Sequence, residues 1–203
     1  MLKASTQAGV TRNGESWRIF CAVSLPESVR EQLMKHTEQV RAAAPRAQAS
    51  WSRQDNIHLT LKFLGEVSVT RVDDVSDAAE RAAKEFSPIK ISVEQTGVFP
   101  RHGPPRVLWI GVYDDSGCLA SLNSRLEDEC AAKGFARQER PFHPHLTLAR
   151  LRKPQGARDL AEKHKAIHFE PVEVVVSELL VIRSELSSEG SKYSMISRHP
   201  LGT

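Results

Sequence analysis

The chain has 203 residues, of which 40% are hydrophobic and 26% charged, and a net charge of +3 with histidine neutral. That length can bury a sizeable core as one domain, and the charge is too weak for a nucleic-acid coat protein or a membrane-surface binder. The three cysteines (Cys21, Cys118 and Cys130) are odd in number and set among apolar residues, so they read as buried free thiols in a reducing, cytoplasmic compartment and not as a disulfide frame or zinc site.

Residues 1–16 are polar, lack the apolar core of a secretory signal, and are expected to be a loose extension to a domain over 17–203. No apolar run reaches the length of about 18 residues that would mark a membrane span. From Trp17 to Leu25 the chain is apolar and compact, as a buried strand is. Pro26-Glu27 suits the first turn of a helix, and Val29, Leu33, Thr37 and Val40 form its apolar stripe, which ends before Pro45. A polar connection over 45–56, with Trp51 its one large apolar group, leads into the strand Ile57-His58-Leu59-Thr60-Leu61-Lys62-Phe63-Leu64. Ser68 or Thr70 is expected to cap a second helix striped by Val72, Val75, Ala79 and Ala82 or Ala83. A strand over 89–96 follows, then a Gly/Pro-rich loop from Pro100 to Pro105, expected to hinge two halves.

Past that loop, Val107 to Val112 reads as a buried strand. A helix with Leu119, Leu122, Leu126 and Cys130 on one face follows and ends at Gly134. An arginine-bearing connection (Arg137, Arg140) leads into Pro144-His145-Leu146-Thr147-Leu148-Ala149-Arg150-Leu151. A short helix near 157–166, a β-branched strand over 172–182, a turn from Ser187 to Gly190 and a last strand from Tyr193 to Ser197 complete the chain.

The segment His-Leu-Thr-Leu thus occurs twice. Each copy alternates with period two, so His and Thr share one face of a strand while the leucines enter a core. From Ile19 to His58 is 39 residues, and from Val107 to His145 is 38. Halves of about 17–99 and 106–200 therefore repeat the order strand, helix, His-x-Thr strand, helix, strand. An axis relating them would set His58 and Thr60 against His145 and Thr147.

Imidazole exchanges protons near neutral pH, with an unperturbed pKa of about 6.5. One histidine can take a proton from a nucleophile while the other gives one to a leaving oxygen. The threonine hydroxyls can donate to the anionic oxygens of a phosphodiester. This scheme needs no metal or other cofactor. A metal site at His143 and His145 is the competing reading, but no carboxylate or cysteine cluster near them completes a ligand set.

The matching segments Arg18-Ile-Phe-Cys-Ala-Val23, Asn56-Ile-His-Leu-Thr-Leu-Lys-Phe-Leu-Gly-Glu66, Pro105-Arg-Val-Leu-Trp-Ile-Gly-Val112 and Arg140-Pro-Phe-His-Pro-His-Leu-Thr-Leu-Ala-Arg150 resemble the 2H phosphoesterases. Within that superfamily the chain is similar to the RNA 2′,3′-cyclic phosphodiesterases, also named 2′-5′ RNA ligases, over roughly 17–200. The resemblance implies an α+β fold that is bilobal, with two antiparallel sheets lining a central groove and helices outside. It also implies that His58 is the proton donor and His145 the proton acceptor. Arg150 matches an arginine the family uses near the phosphate. In a regular strand it would point away from His145, so that role requires a bulge.

Phe20 and Trp51 are candidates to stack on a base, with core packing the stronger expectation. Lys62 is expected on the face of His58 and Thr60, His143 at the rim, and His36, His102, His164, His168 and His199 without a role. These readings point to hydrolysis of RNA 2′,3′-cyclic phosphate ends to 2′-phosphomonoesters, with reversible 2′-5′ ligation as a companion activity. The alternatives are action on small cyclic nucleotides or 2′-5′ oligonucleotides, or a non-catalytic module that binds RNA ends. The expected partner is RNA with a cyclic phosphate end or a related cyclic nucleotide, with no membrane, and the expected state is a cytoplasmic monomer.

Overall fold

The computed structural model describes residues 14–187 and 190–202; the expected extension lies outside them except for 14–16. Among these residues nine strands form one curled antiparallel sheet: β1 (Ser16–Val23), β2 (Ser50–Trp51), β3 (Leu59–Ser68), β4 (Ile89–Phe99), β5 (Val107–Tyr113), β6 (His145–Arg150), β7 (Val172–Val176), β8 (Glu178–Ser187) and β9 (Gly190–Pro200). Their order is β7-β4-β5-β6-β3-β1-β8-β9, with β2 alongside β6. Two arms meet where β3 pairs β6, through the single pair Leu59 and Leu146. Strands equivalent in the sequence repeat therefore lie side by side at the centre.

The halves of the repeat are not the arms. β4, the last strand of the first half, pairs β5 and β7 of the second. β8, from the second half, pairs β1 of the first. The segment expected as one strand over 172–182 is thus two strands broken at Ser177, with β7 on the outer edge of one arm and β8 in the other. The Pro100–Pro105 loop, expected as a hinge, closes the β4–β5 hairpin within one arm.

Among the described residues four α-helices cover the outer face of the sheet: α1 (Glu27–Ala43), α2 (Val72–Lys84), α3 (Cys118–Ala132) and α4 (Ala157–Ala166). α1 packs on α4, and α2 on α3. The expected stripes are the buried ones: Val29, Leu33, Thr37 and Val40 on α1, and Leu119, Leu122, Leu126 and Cys130 on α3. Ser68 and Thr70 do not cap α2; their hydroxyls bond each other at 2.9 Å and a 3₁₀ turn over Val69–Arg71 starts the helix. The charges of α2 suit its dipole, with Asp73 and Asp74 in the first turn and Arg81 and Lys84 in the last. No described helix is long and apolar enough to cross a membrane. Cys21, Cys118 and Cys130 are free, but Cys118 is half-buried, not buried as expected.

Candidate active site

The concave face of the sheet at the β3–β6 junction carries both His-x-Thr pairs. Across β1, Ala22 stands opposite Thr60, and across β5, Gly111 stands opposite His145 and Trp109 opposite Thr147. Each central strand then skips one residue. β3 passes from Thr60, opposite Ala22, to Lys62, opposite Cys21; β6 passes from Thr147, opposite Trp109, to Ala149, opposite Leu108. Such a bulge puts two successive residues on one face and reverses the parity of the residues after it. Leu148 and Ala149 are both buried beneath the sheet, so Arg150 returns to the face of His145 and Thr147. It is exposed, and its positive charge acts on both imidazoles.

The matching bulge in β3 buries Leu61 and Lys62 together. Lys62 is therefore not on the face of His58, as strict alternation predicts. Its ammonium lies under the sheet, 2.6 Å from the Glu127 carboxylate on α3 and 2.9 Å from the Ala136 carbonyl. Phe63 takes the place on β3 that Arg150 holds on β6, with 49% of its surface exposed.

The two histidines are held alike. Nδ1 of His58 lies 2.8 Å from the carbonyl of Asn56, and Nδ1 of His145 lies 2.6 Å from the carbonyl of His143. A carbonyl only accepts, so Nδ1 carries the hydrogen and Nε2 is left with its lone pair. Neither Nε2 has a partner among the described residues. The same holds for the half-buried hydroxyls of Thr60 and Thr147. Asn56 is itself fixed, its side-chain amide donating to the Ser191 carbonyl on β9 at 2.7 Å. Ser52 ties β2 to the second strand by donating to the Thr147 carbonyl at 2.7 Å.

Aromatic rings bed each imidazole. His58 stacks on Phe20, with centroids 4.6 Å apart and planes at 25°, and Tyr193 meets its edge at 5.3 Å. His145 meets Phe99 edge to face at 5.0 Å, with Trp109 at 6.3 Å. Trp109 can lie flat there because Gly97 has no side chain: a Cβ at 97 would come within 2.1 Å of the indole. These rings exclude water, which disfavours the charged imidazolium. Burial pushes His58 down to about 4, against the opposing bond to Asn56 and with help from Arg150 and His145. Burial also lowers His145, against its bond to His143 and with help from Arg150.

Phe20 is in the core, where it supports His58 instead of facing a base. Trp51 packs against a buried apolar cluster that includes Val40, Leu108 and Leu160, beneath Arg41. His143 is exposed at the rim, and no group of three or more His, Cys, Asp or Glu that could hold a metal occurs among the described residues. His36 and His164, expected to stand alone, bond each other at 3.1 Å and tie α1 to α4. Phe63, Phe99, Trp109 and Tyr193 escaped the sequence reading. Strand parity with Gly111 was the available signal for Trp109, whereas the bulge that exposes Phe63 leaves no mark in the alternation.

Residues 25–187 match the model of the 2′-5′ RNA ligase superfamily. An RNA 2′,3′-cyclic phosphodiesterase of Methanothermobacter thermautotrophicus is 32% identical over 87% of this chain and 95% of its own length. A protein of the same name from Methanocaldococcus jannaschii is 29% identical over 88% and 98% respectively. Among solved structures, E. coli LigT complexed with 3′-AMP superposes with a TM-score of 0.72 at 28% identity, covering 93% of this chain and 100% of that one. The chain belongs to the 2′-5′ RNA ligase superfamily.

Proposed function

We propose that this member of the superfamily opens 2′,3′-cyclic phosphates at RNA ends to leave 2′-phosphomonoesters, with His58 as proton donor and His145 as proton acceptor. The observation that carries the reading is the matched pair of imidazoles, each with Nδ1 bonded to a carbonyl, Nε2 without a partner among the described residues, and a threonine two residues further along its strand. The names of the relatives and the 3′-AMP complex of LigT support a nucleotide phosphate as the substrate.

The geometry serves an in-line displacement. Nε2 of His145 takes a proton from water as the water oxygen bonds to phosphorus. On the opposite side the bond to the 3′ oxygen breaks, and that oxygen takes the proton of the His58 imidazolium. A 3′-hydroxyl and a 2′-phosphate remain, and solvent returns the two histidines to their starting charges. Thr60 and Thr147 donate to the phosphate oxygens, and Arg150 balances the charge they gather in the transition state. A 5′-hydroxyl entering along the path of the water gives a 2′-5′ linkage by the same steps, which is the ligase reaction. Phe63 offers an open ring face to the terminal base.

His58 is mostly neutral in the free protein at neutral pH. An anionic phosphate beside Nε2 favours its charged form, so the substrate helps to protonate its own acid. No step needs a metal. The chain acts as a monomer, because both arms of the groove come from one polypeptide, and its free thiols suit the cytoplasm.

The test is to incubate the protein with an oligoribonucleotide ending in a 2′,3′-cyclic phosphate, in excess chelator, and to follow the product by phosphorus NMR. Ring opening to a 2′-phosphate is expected. No ring opening would overturn the reading, and a predominantly 3′-phosphate product would reverse the acid and the base.

A further inference from the structure

Several cations on the helical side of the molecule have carboxylate partners: Arg30 with Glu27, Arg71 with Asp74, Lys84 with Glu80, Arg125 with Glu129, and Lys133 with Asp77. At one end of the β4–β5–β6 arm, cations without such partners are grouped next to Arg150. Arg101, Arg106, Arg152 and Lys153 are all exposed there, and none forms an ion pair among the described residues. The backbone brings them together around Arg150. Arg150 stands opposite Val107 in the β5–β6 register, the Leu151 amide donates to the Arg106 carbonyl at 2.8 Å, and the Arg106 amide donates to the Phe99 carbonyl at 2.7 Å. Arg101 lies two residues past Phe99 in the same hairpin, and Arg152 and Lys153 directly follow Leu151. A chain with a net charge of only +3 thus collects uncompensated cations at the rim that continues outward from Arg150.

Unpaired exposed cations in a row attract a polyanion, and a phosphodiester backbone releases counterions when it lies along them. We infer that this rim holds the backbone of the RNA 5′ to its cyclic end, so that the protein selects polymeric RNA over a terminal nucleotide alone. The inference rests on the reading of the groove as an RNA-end phosphodiesterase. The rim touches no reacting atom, so it contributes to binding of longer chains and leaves the chemical step alone.

Two measurements on the full chain separate the rim from the reaction. In the first, kcat/KM is compared for a 2′,3′-cyclic mononucleotide and for single-stranded oligonucleotides with the same cyclic end. The protein is tested unaltered and with Arg101→Ala, Arg106→Ala and Arg152→Ala together. The unaltered protein should favour the oligonucleotides. The triple variant should lose about 10–100-fold on them, chiefly through KM, with the mononucleotide unchanged. In the second, fluorescence anisotropy follows binding of a labelled oligonucleotide ending in a 2′-phosphate as salt is raised. Loss of three phosphate contacts should reduce the log–log salt slope by about 2, and the three Arg→Lys changes together should restore most of it. Equal kcat/KM for mononucleotide and oligonucleotide in the unaltered protein, an equal loss on both substrates in the variant, or an unchanged salt slope would each overturn the rim. Absent hydrolysis with a salt slope that still depends on the three arginines would overturn the reaction and leave the rim standing.

Discussion

An imidazole works as an acid or base only in the right charge state, and at His58 and His145 that state is set by rings, carbonyls and Arg150 together. Replacing either histidine by alanine should cost about 10²–10⁴ in turnover with the fold retained, measured with cyclic-ended RNA alongside circular dichroism. Thr60→Val or Thr147→Val removes one donor and should slow the reaction by less. The direction of each shift sets the pH profile. With His58 as the proposed donor and His145 as the proposed acceptor, kcat/KM in the free protein needs charged His58 and neutral His145. It falls as pH rises through the His58 value of about 4, and falls again as pH drops through the lowered His145 value. The kcat/KM maximum should therefore lie below pH 6.5, the ordinary value for histidine, with both limbs belonging to the pair. In the substrate complex the phosphate charge raises both groups, so the kcat maximum should lie at higher pH. A kcat/KM maximum above pH 7 would show that the rings do not depress the free imidazoles.

At the scale of elements, the two central strands were legible from alternation, and the rest of the site depended on where alternation fails. His58, Thr60, His145 and Thr147 precede the bulges, so simple parity placed them together. Lys62 and Arg150 follow the bulges, and parity alone put both on the wrong face. Nothing in Leu61-Lys62 or Leu148-Ala149 announces a skipped residue, because it arises from pairing with β1 and β5. The buried Lys62 is the chemical trace of the first bulge. With Glu127 it forms an ion pair in which the lysine side chain is 1% exposed and the carboxylate 11%. Removing one member strands the other charge in the core, so Lys62→Met or Glu127→Leu alone should destabilise by about 3–5 kcal/mol. The double change Lys62→Met with Glu127→Leu should recover much of that loss. Urea unfolding of the three variants checks this, and a double variant no better than the singles would mean the bulge needs the ion pair itself.

Over the whole molecule, the repeat told that two halves exist but not that they exchange strands, since β4 and β8 choose neighbours by long-range packing that no local pattern encodes. The same packing encloses histidines the repeat left without a role. His164 donates from Nε2 to the Trp109 carbonyl at 3.1 Å, so its Nδ1 must accept from Nε2–H of His36. That leaves Nδ1 of His36 buried with no partner. Protonation there would create an unsatisfied charge, and burial accordingly lowers His36 to about 4. Burial also lowers His164 and His199, as it does the two groove histidines. Unfolded histidine titrates near 6.5, so between pH 6.5 and about 4 the unfolded chain binds more protons than the folded one. Stability should be level above 6.5 and fall steadily through that window. The exposed carboxylates of Glu27 and Glu80, whose values are lowered in the fold, withdraw support only near and below their ordinary value of 4.5. Each buried histidine contributes at most about 1.4 kcal/mol per pH unit to the slope. His36→Leu should therefore flatten the dependence of unfolding free energy on pH by up to that amount and leave the mutant's level above pH 6.5 insensitive to pH. Denaturant titrations at fixed pH from 4 to 8 measure both slopes, and an unchanged slope in the mutant would show that His36 is protonated in the fold.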